Sequence, residues 1–108
     1  MSAARIANSL LRVDGISASL PAPFERPRAD MDFAVLELGS DVDVPVWQSR
    51  VVDAVTSQES VLREAQRGGA AAVLFVESTS PAPLRFDAGL LRVLADAGVA
   101  LEHWHANA

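Results

Sequence analysis

A short apolar segment that follows a double glycine constrains the fold more than any other part of this sequence. Residues 71–76 read Ala-Ala-Val-Leu-Phe-Val, so both alternating faces of a strand at this position are apolar. Strands of this type usually lie inside a sheet that is covered on both sides. We therefore expect residues 71–76 to lie in the middle of a sheet, with the rest of the chain packed above and below them.

The segment before this strand has the pattern of a long helix. Val44-Pro45 suits a first helical turn, and Asp43 just before it can cap the exposed N–H groups. A stripe of apolar residues then runs to Leu62, and Gly68-Gly69 supplies a left-handed stop. Thr56 and Glu59 have the spacing of a capping box, which predicts a kink or a restart near Thr56.

A second helix and strand repeat this arrangement near the end of the sequence. Asp87 can cap a helix over residues 88–97, whose leucines form the buried face, and Gly98 follows as the stop. Residues 99–105 then read as the last strand. In both halves a helix, a glycine and a strand follow one another, which is typical of a helix that crosses over a sheet.

The beginning of the sequence favours strands joined by turns, with a strand from about Asn8; the alternative is a short helix over residues 3–12. Asp14-Gly15 lies between two apolar stretches and favours a hairpin closed by that dipeptide, with a further strand over residues 16–20. Pro21, Pro23 and Pro27 make the next segment a surface connection. A second strand follows over residues 32–38, with Phe33, Val35 and Glu37 on one face and Ala34, Leu36 and Leu38 on the other.

These elements predict one α+β domain that spans residues 1–108. We expect two layers, in which two helices cover a mixed sheet of four to five strands. The alternative is a small three-layer α/β fold, since each strand-helix-strand step can be a right-handed parallel crossover. A chain of 108 residues without cysteine has enough length for one core, and it has no disulfide scaffold.

The composition favours a cytoplasmic protein from a bacterium. No apolar run is long enough to cross a membrane, and the first residues lack the apolar centre of a signal peptide. All nine basic residues are arginine, and alanine is abundant, which suggests a GC-rich genome. The net charge of −5 argues against nucleic acid as a partner, because binding to phosphates needs a basic surface.

The negative charge is concentrated in one window of the sequence. Asp30, Asp32, Glu37, Asp41 and Asp43 occur without a basic residue between them, so this window alone carries −5. The remaining acidic and basic residues balance. We expect residues 39–43 to form an acidic loop beside the start of the long helix.

This window gives the candidate site, which is a surface for a basic protein partner. A local negative charge steers a positively charged partner electrostatically. Core packing is the expectation for both Trp47 and Trp104, and the alternative is that a tryptophan is an exposed anchor beside the acidic loop. The candidate partner-binding residues are Glu37, Asp41, Asp43 and Trp47.

His103-Trp104-His105 supports an alternative function, which is a small metal- or ligand-binding domain. Residues two apart on a strand share a face, so both imidazoles would point the same way. A carboxylate would have to complete the ligand set, because the sequence has no other histidine and no cysteine. The spacing elsewhere completes no such set, so we expect no metal and no cofactor.

From Trp47 onward the chain resembles a family of small bacterial proteins of unknown function, some of which occur in toxin–immunity neighbourhoods. The resemblance lies in the long helix that ends at Gly68-Gly69, in the apolar strand after it, and in residues 86–101. It implies a single-domain α+β protein that acts by binding, and it implies no catalytic residues.

A third hypothesis is a structural subunit that forms a homodimer through an open sheet edge.

Overall fold

The computed structural model describes residues 5–79 and 84–105. In this part of the chain, four strands and three helices follow one another in the order ββααβαβ. The elements are β1 (Arg5–Asp14), β2 (Phe33–Asp43), α1 (Val44–Ser57), α2 (Glu59–Arg67), β3 (Ala71–Thr79), α3 (Ala88–Asp96) and β4 (Val99–His105).

The four strands form one mixed sheet in the order β2-β1-β3-β4. Strand β1 is antiparallel to both of its neighbours, whereas β3 and β4 are parallel and are connected through α3. Residues 71–76 belong to β3, which lies between two other strands. The prediction that this apolar segment lies inside the sheet is therefore confirmed.

The sheet buries only one of its faces against the helices. On β2, Ala34, Leu36 and Leu38 share one face as the alternation predicts, and this is the buried face, which joins one core cluster with helical residues. The helices contribute Trp47, Val51, Val55, Leu62, Leu90 and Leu94 to this cluster. The fold is thus a two-layer α+β arrangement, and the three-layer alternative does not apply.

The other face of β3 has no cover from the described residues, so the expected burial on both sides is wrong. Leu74 is fully buried against the helices, whereas Val73 and Phe75 are only partly buried on the opposite face. The physical reason lies in the helix positions. All three helices contribute buried residues to the same core cluster, and neither Val73 nor Phe75 belongs to it.

The predicted hairpin at Asp14-Gly15 is also wrong. Gly15 does turn the chain, with a φ of +82° that favours glycine. However, the N–H groups of Gly15 and Ile16 donate to the carbonyl oxygen of Asp32, at 2.8 and 2.9 Å. These bonds close a long loop, so β1 pairs with β2 and residues 16–20 form no strand.

Strand β2 continues through the residues expected to form an acidic loop. Ser40 is paired with Asn8, and Asp43 is paired with Arg5. The register shifts between Ser9 and Leu10, which marks an irregularity of the bulge type. Because of this pairing with β1, strand β2 continues to Asp43, directly before the start of α1. The loop prediction for residues 39–43 is therefore wrong.

The helix ends are partly as predicted. Gly69 has a φ of +96°, in keeping with a left-handed stop, and the long helix breaks at Gln58 between α1 and α2. Asp43 occupies the N-cap position of α1, but its side chain accepts no hydrogen bond from the helix. It binds Arg5 instead, at 2.5 Å.

The cap of α3 gives a first prediction. The Asp87 carboxylate accepts a hydrogen bond of 2.9 Å from the N–H of Gly89. Replacing a capping aspartate by alanine typically costs about 1 kcal/mol, so Asp87→Ala should lower the unfolding free energy by about that amount. Urea denaturation measures the change. Asp96→Ala, at the other end of α3, is the matched control, and an equal loss in both variants would contradict the assignment.

No helix within the described ranges can cross a membrane. The longest, α1, has 14 residues, whereas a bilayer requires about 20 predominantly apolar residues.

Candidate protein-binding surface

The sheet face opposite the helices carries apolar and charged side chains in alternation. Its members follow from the strand registers, because paired residues on adjacent strands point to the same side. Leu10, for example, is paired with Glu37 of β2 and with Phe75 of β3. We call this surface the open face. It consists of Leu10, Arg12, Asp14, Phe33, Val35, Glu37, Val73, Phe75, Glu77, Glu102 and Trp104.

The centre of the open face is apolar and includes an exposed aromatic side chain. Trp104 is 54% exposed, and its ring lies 6.4 Å from that of Phe75 between centroids. Leu10 and Val73 continue this patch toward β1. Together with neighbouring charged side chains they line a shallow cavity of about 310 Å³. Exposed aromatic residues in such a setting are typical anchors of protein interfaces.

Arg12 is held in place at the β1 side of this patch. Its guanidinium lies 3.9 Å from the centroid of the Phe33 ring, which is a cation–π geometry. Its Nε atom also donates to the Asp14 carboxylate at 2.6 Å. Because the guanidinium of Arg12 already contacts the Phe33 ring and the Asp14 carboxylate, its positive charge neutralises little of the remaining negative charge on the open face.

Asp41 and Asp43 lie at the end of the sheet beside Arg5. The Arg5 guanidinium binds Asp41 at 3.1 Å and Asp43 at 2.5 Å, and it also donates to the carbonyl oxygen of Asp41. We call these three residues the acidic corner. Arg5 and Asp43 are paired on the side of the sheet opposite the buried Ile6, so the acidic corner adjoins the open face.

The open face and the acidic corner contain nearly all of the net charge of the protein. They hold two arginines and six carboxylates, which gives a net charge of −4. The carboxylates are Asp14, Glu37, Asp41, Asp43, Glu77 and Glu102. No arginine of the described ranges forms a salt bridge with Glu37, Glu77 or Glu102. These three carboxylates are therefore available to a basic partner.

The helical layer is neutral by comparison. Residues 44–67 and 84–98 contain five arginines and five carboxylates. One of these pairs, Arg63 and Glu59, forms a salt bridge of 2.6 Å along α2. The charge of the molecule is therefore distributed unequally between its two sides, with the excess of carboxylates on the side that no helix covers.

Of the four predicted site residues, Glu37, Asp41 and Asp43 lie together on this side and Trp47 does not. Trp47 is fully buried, and its Nε1–H donates to the Ser9 hydroxyl at 2.8 Å. Ser9 in turn donates to the carbonyl oxygen of Phe75. Trp47 is thus a core residue, as expected for packing, and it offers no surface to a partner.

The exposed aromatic residue on this side is Trp104, for which core packing was the wrong expectation; it lies on β4, at the opposite edge of the sheet from Glu37, Asp41 and Asp43. A signal for its exposure was present in the sequence. Glu102 and Trp104 are two residues apart on a strand, so they share a face. A glutamate without a basic neighbour on that face indicates contact with water, and the tryptophan shares this environment.

The two histidines of β4 share one face, as their spacing predicts, and this face is the helical side. His103 is paired with Val76 and His105 with Ser78. The Nε2 atom of His103 is hydrogen-bonded to the Ser78 hydroxyl at 2.8 Å, and the ring contacts Phe86 edge-on. Within residues 5–79 and 84–105, no group of three or more histidines and carboxylates could hold a metal ion.

The two edges of the sheet differ in how they are covered. At the β2 edge, Glu25 and Val35 exchange two backbone hydrogen bonds of 2.8 Å, so this edge is partly closed by the loop before β2. Strand β4 forms the other edge and has β3 as its neighbour in the sheet. Its seven residues pair with β3 in an unbroken register.

No family model, no curated protein and no solved structure matches this chain. The resemblance to small bacterial proteins in toxin–immunity neighbourhoods therefore stays a prediction.

Proposed function

We propose that this protein is a non-catalytic binding module that docks a basic protein partner on its open face. The contact would combine the apolar patch around Trp104 and Phe75 with ion pairs to Glu37 and Glu102. Asp41 and Asp43 would extend the negative surface at the acidic corner. Interfaces of this kind typically place aromatic anchors at the centre and charged groups at the rim.

The observation that supports this proposal most strongly is the distribution of charge. The open face and the acidic corner together carry −4, whereas the helical layer is neutral. A carboxylate excess around an apolar centre attracts a positively charged partner and repels acidic ones. The same charge disfavours a homodimer in which two open faces meet, because two surfaces of −4 repel each other.

Within this function we favour an immunity-type role, in which the protein covers the basic surface of another protein. We propose that it does so in the cytoplasm. Such a protein needs a rigid, preformed surface. The sheet supplies one, since the side chains of the open face stand on strands that are packed against the helices on their other side.

Affinity capture from the native host tests this proposal. The wild-type protein is immobilised and compared with a Glu37→Arg/Glu102→Arg variant, which brings the net charge of the open face and acidic corner from −4 to zero. We expect the wild type to capture a basic protein from the host. Once purified, this partner should bind the purified wild-type protein directly. It should not bind the variant.

The matched control changes the total charge equally on the helical side. Glu64→Arg/Asp96→Arg alters two exposed carboxylates of the neutral layer. Its capture of the same protein should equal that of the wild type. Equal binding of the purified partner by the wild type and the open-face variant, or loss of binding only in the helical variant, would show that the open face is not the contact surface.

A further inference from the structure

We infer that the partner engages this surface with an extended segment that pairs with the outer edge of β4 and has basic residues at every second position. This inference rests on the proposed function and adds the form of the bound segment. In such an arrangement the backbone of the partner continues the sheet, and its side chains are selected by those of β4.

Apart from the charge of Glu102, which attracts a basic segment, the edge of β4 lacks the features that usually prevent strand addition. Proteins protect exposed edges with proline, with lysine or other inward charges, or with bulges that twist the edge away. Residues 99–105 contain no proline and no basic residue other than the histidines, and their register with β3 has no irregularity. Among the described residues β3 is the only strand paired with β4, so alternate N–H and C=O groups of residues 99–104 point away from the sheet, along a length of about 20 Å.

Two side chains of β4 determine which residues an added strand would carry on the open-face side. A neighbouring strand places its side chains about 5 Å from Glu102 and Trp104. Beside Glu102, a lysine or arginine forms an ion pair, and beside the exposed Trp104 ring it forms a cation–π contact. Basic residues at alternate positions satisfy both environments.

The helical side of β4 favours apolar residues between the basic ones. Leu101 is partly buried and packs against the core cluster, and His103 is occupied by its hydrogen bond to Ser78. An apolar residue of the added strand beside Leu101 would therefore extend the core cluster. The resulting pattern alternates basic and apolar residues.

A second copy of the chain fits this edge less well than a basic segment. Two β4 strands that pair antiparallel about Glu102 bring two carboxylates directly opposite each other, which is destabilising. The new continuous sheet would also join two open faces, each with the same excess of carboxylates. The occupant is therefore a segment of a different, basic protein.

Synthetic peptides test this inference without knowledge of the natural partner. The probe is an acetylated and amidated peptide of four Lys-Val repeats, with a Glu-Val peptide as the charge control. In fluorescence anisotropy at low salt we expect saturable binding of the Lys-Val peptide only, and weaker binding as salt is added. Hydrogen exchange should slow at alternate amides of residues 99–105.

Backbone methylation separates strand addition from simple surface attraction. Successive residues of a strand point their N–H groups to opposite edges, so methylating every lysine N–H blocks one edge of the peptide and methylating every valine N–H blocks the other. Both methylated peptides have the same charge. We expect one of them to bind at least about tenfold more weakly than the parent, because it lacks all four N–H groups on the edge that would pair with β4.

Three outcomes would overturn strand addition. They are equal binding by the parent and both methylated peptides, failure of the Lys-Val peptide to bind, and slow exchange of the β4 amides in a dimer without peptide. The first outcome leaves the open face as a docking surface for a basic partner. The capture experiment decides that wider proposal independently, because it requires no particular conformation of the partner.

Discussion

The Trp47→Ala variant is expected to lose about 3–5 kcal/mol of unfolding free energy, which is a large part of the 5–15 kcal/mol that a domain of this size typically has. Trp47 is fully buried, it is hydrogen-bonded to Ser9 of β1, and its ring contacts that of Phe86 edge-on. Alanine would leave a large cavity there. It would also remove the N–H group that donates to Ser9, so a buried hydroxyl would lose a partner.

Urea denaturation followed by circular dichroism measures this loss. Trp104→Ala is the matched control, because Trp104 is 54% exposed and belongs to the open face. We expect the control to change the unfolding free energy by no more than about 1 kcal/mol. Similar losses in the two variants would contradict the opposite roles that the two tryptophans have here.

The second large effect is on the rate of association with the basic partner. The Glu37→Arg/Glu102→Arg variant, which removes the net negative charge of the open face and acidic corner, should bind about 10–1000-fold more slowly at low salt. Electrostatic attraction speeds the encounter of oppositely charged surfaces, and reversal of these two charges at the sides of the open face abolishes it. Surface plasmon resonance with the purified partner measures the rate.

Salt and stability provide the controls for this rate effect. The rate for the wild type should fall toward that of the variant as the salt concentration rises, because the Debye length shortens from about 10 Å at 0.1 M to about 3 Å at 1 M. The melting temperature of the variant should not decrease, since neither glutamate forms a salt bridge with a described arginine. A slower rate that accompanies partial unfolding would not support the docking surface.

The sequence predicted the parts of the fold that depend on local patterns. Alternation on β2 placed Ala34, Leu36 and Leu38 on one shared face, and the structure shows that this face lies in the core. The stop at Gly69 and the cap at Asp87 were likewise predicted, because each depends on the conformation or side chain of one residue. Such features need no knowledge of distant parts of the chain.

The predictions that failed depend on contacts between distant residues. Asp14-Gly15 has the composition of a tight hairpin, yet the neighbouring N–H groups find their acceptor at Asp32, far along the chain. Asp43 suits an N-cap, but Arg5 competes for its carboxylate across the sheet. In both cases the local preference was real, and a partner brought close by the fold replaced the local one.

The candidate site was predicted in part for the same reason. Glu37, Asp41 and Asp43 are close in sequence, and two of them are also joined through Arg5 in the structure. Trp104 is remote from them in sequence, and β4 brings it onto their side of the sheet. An apolar strand was expected to be covered on both faces, whereas the helices cover only one. The uncovered face is the surface on which we place the partner.

The buried hydroxyl of Ser9 also limits how this protein can change during evolution. One hydroxyl accepts from Trp47 and donates to the carbonyl oxygen of Phe75, so it connects α1 to the centre of the sheet. Alanine would lack both functions, and a larger side chain has no room at a position without solvent exposure. Positions 9 and 47 therefore form a coupled pair, in which a substitution at one is tolerated best when the other changes with it.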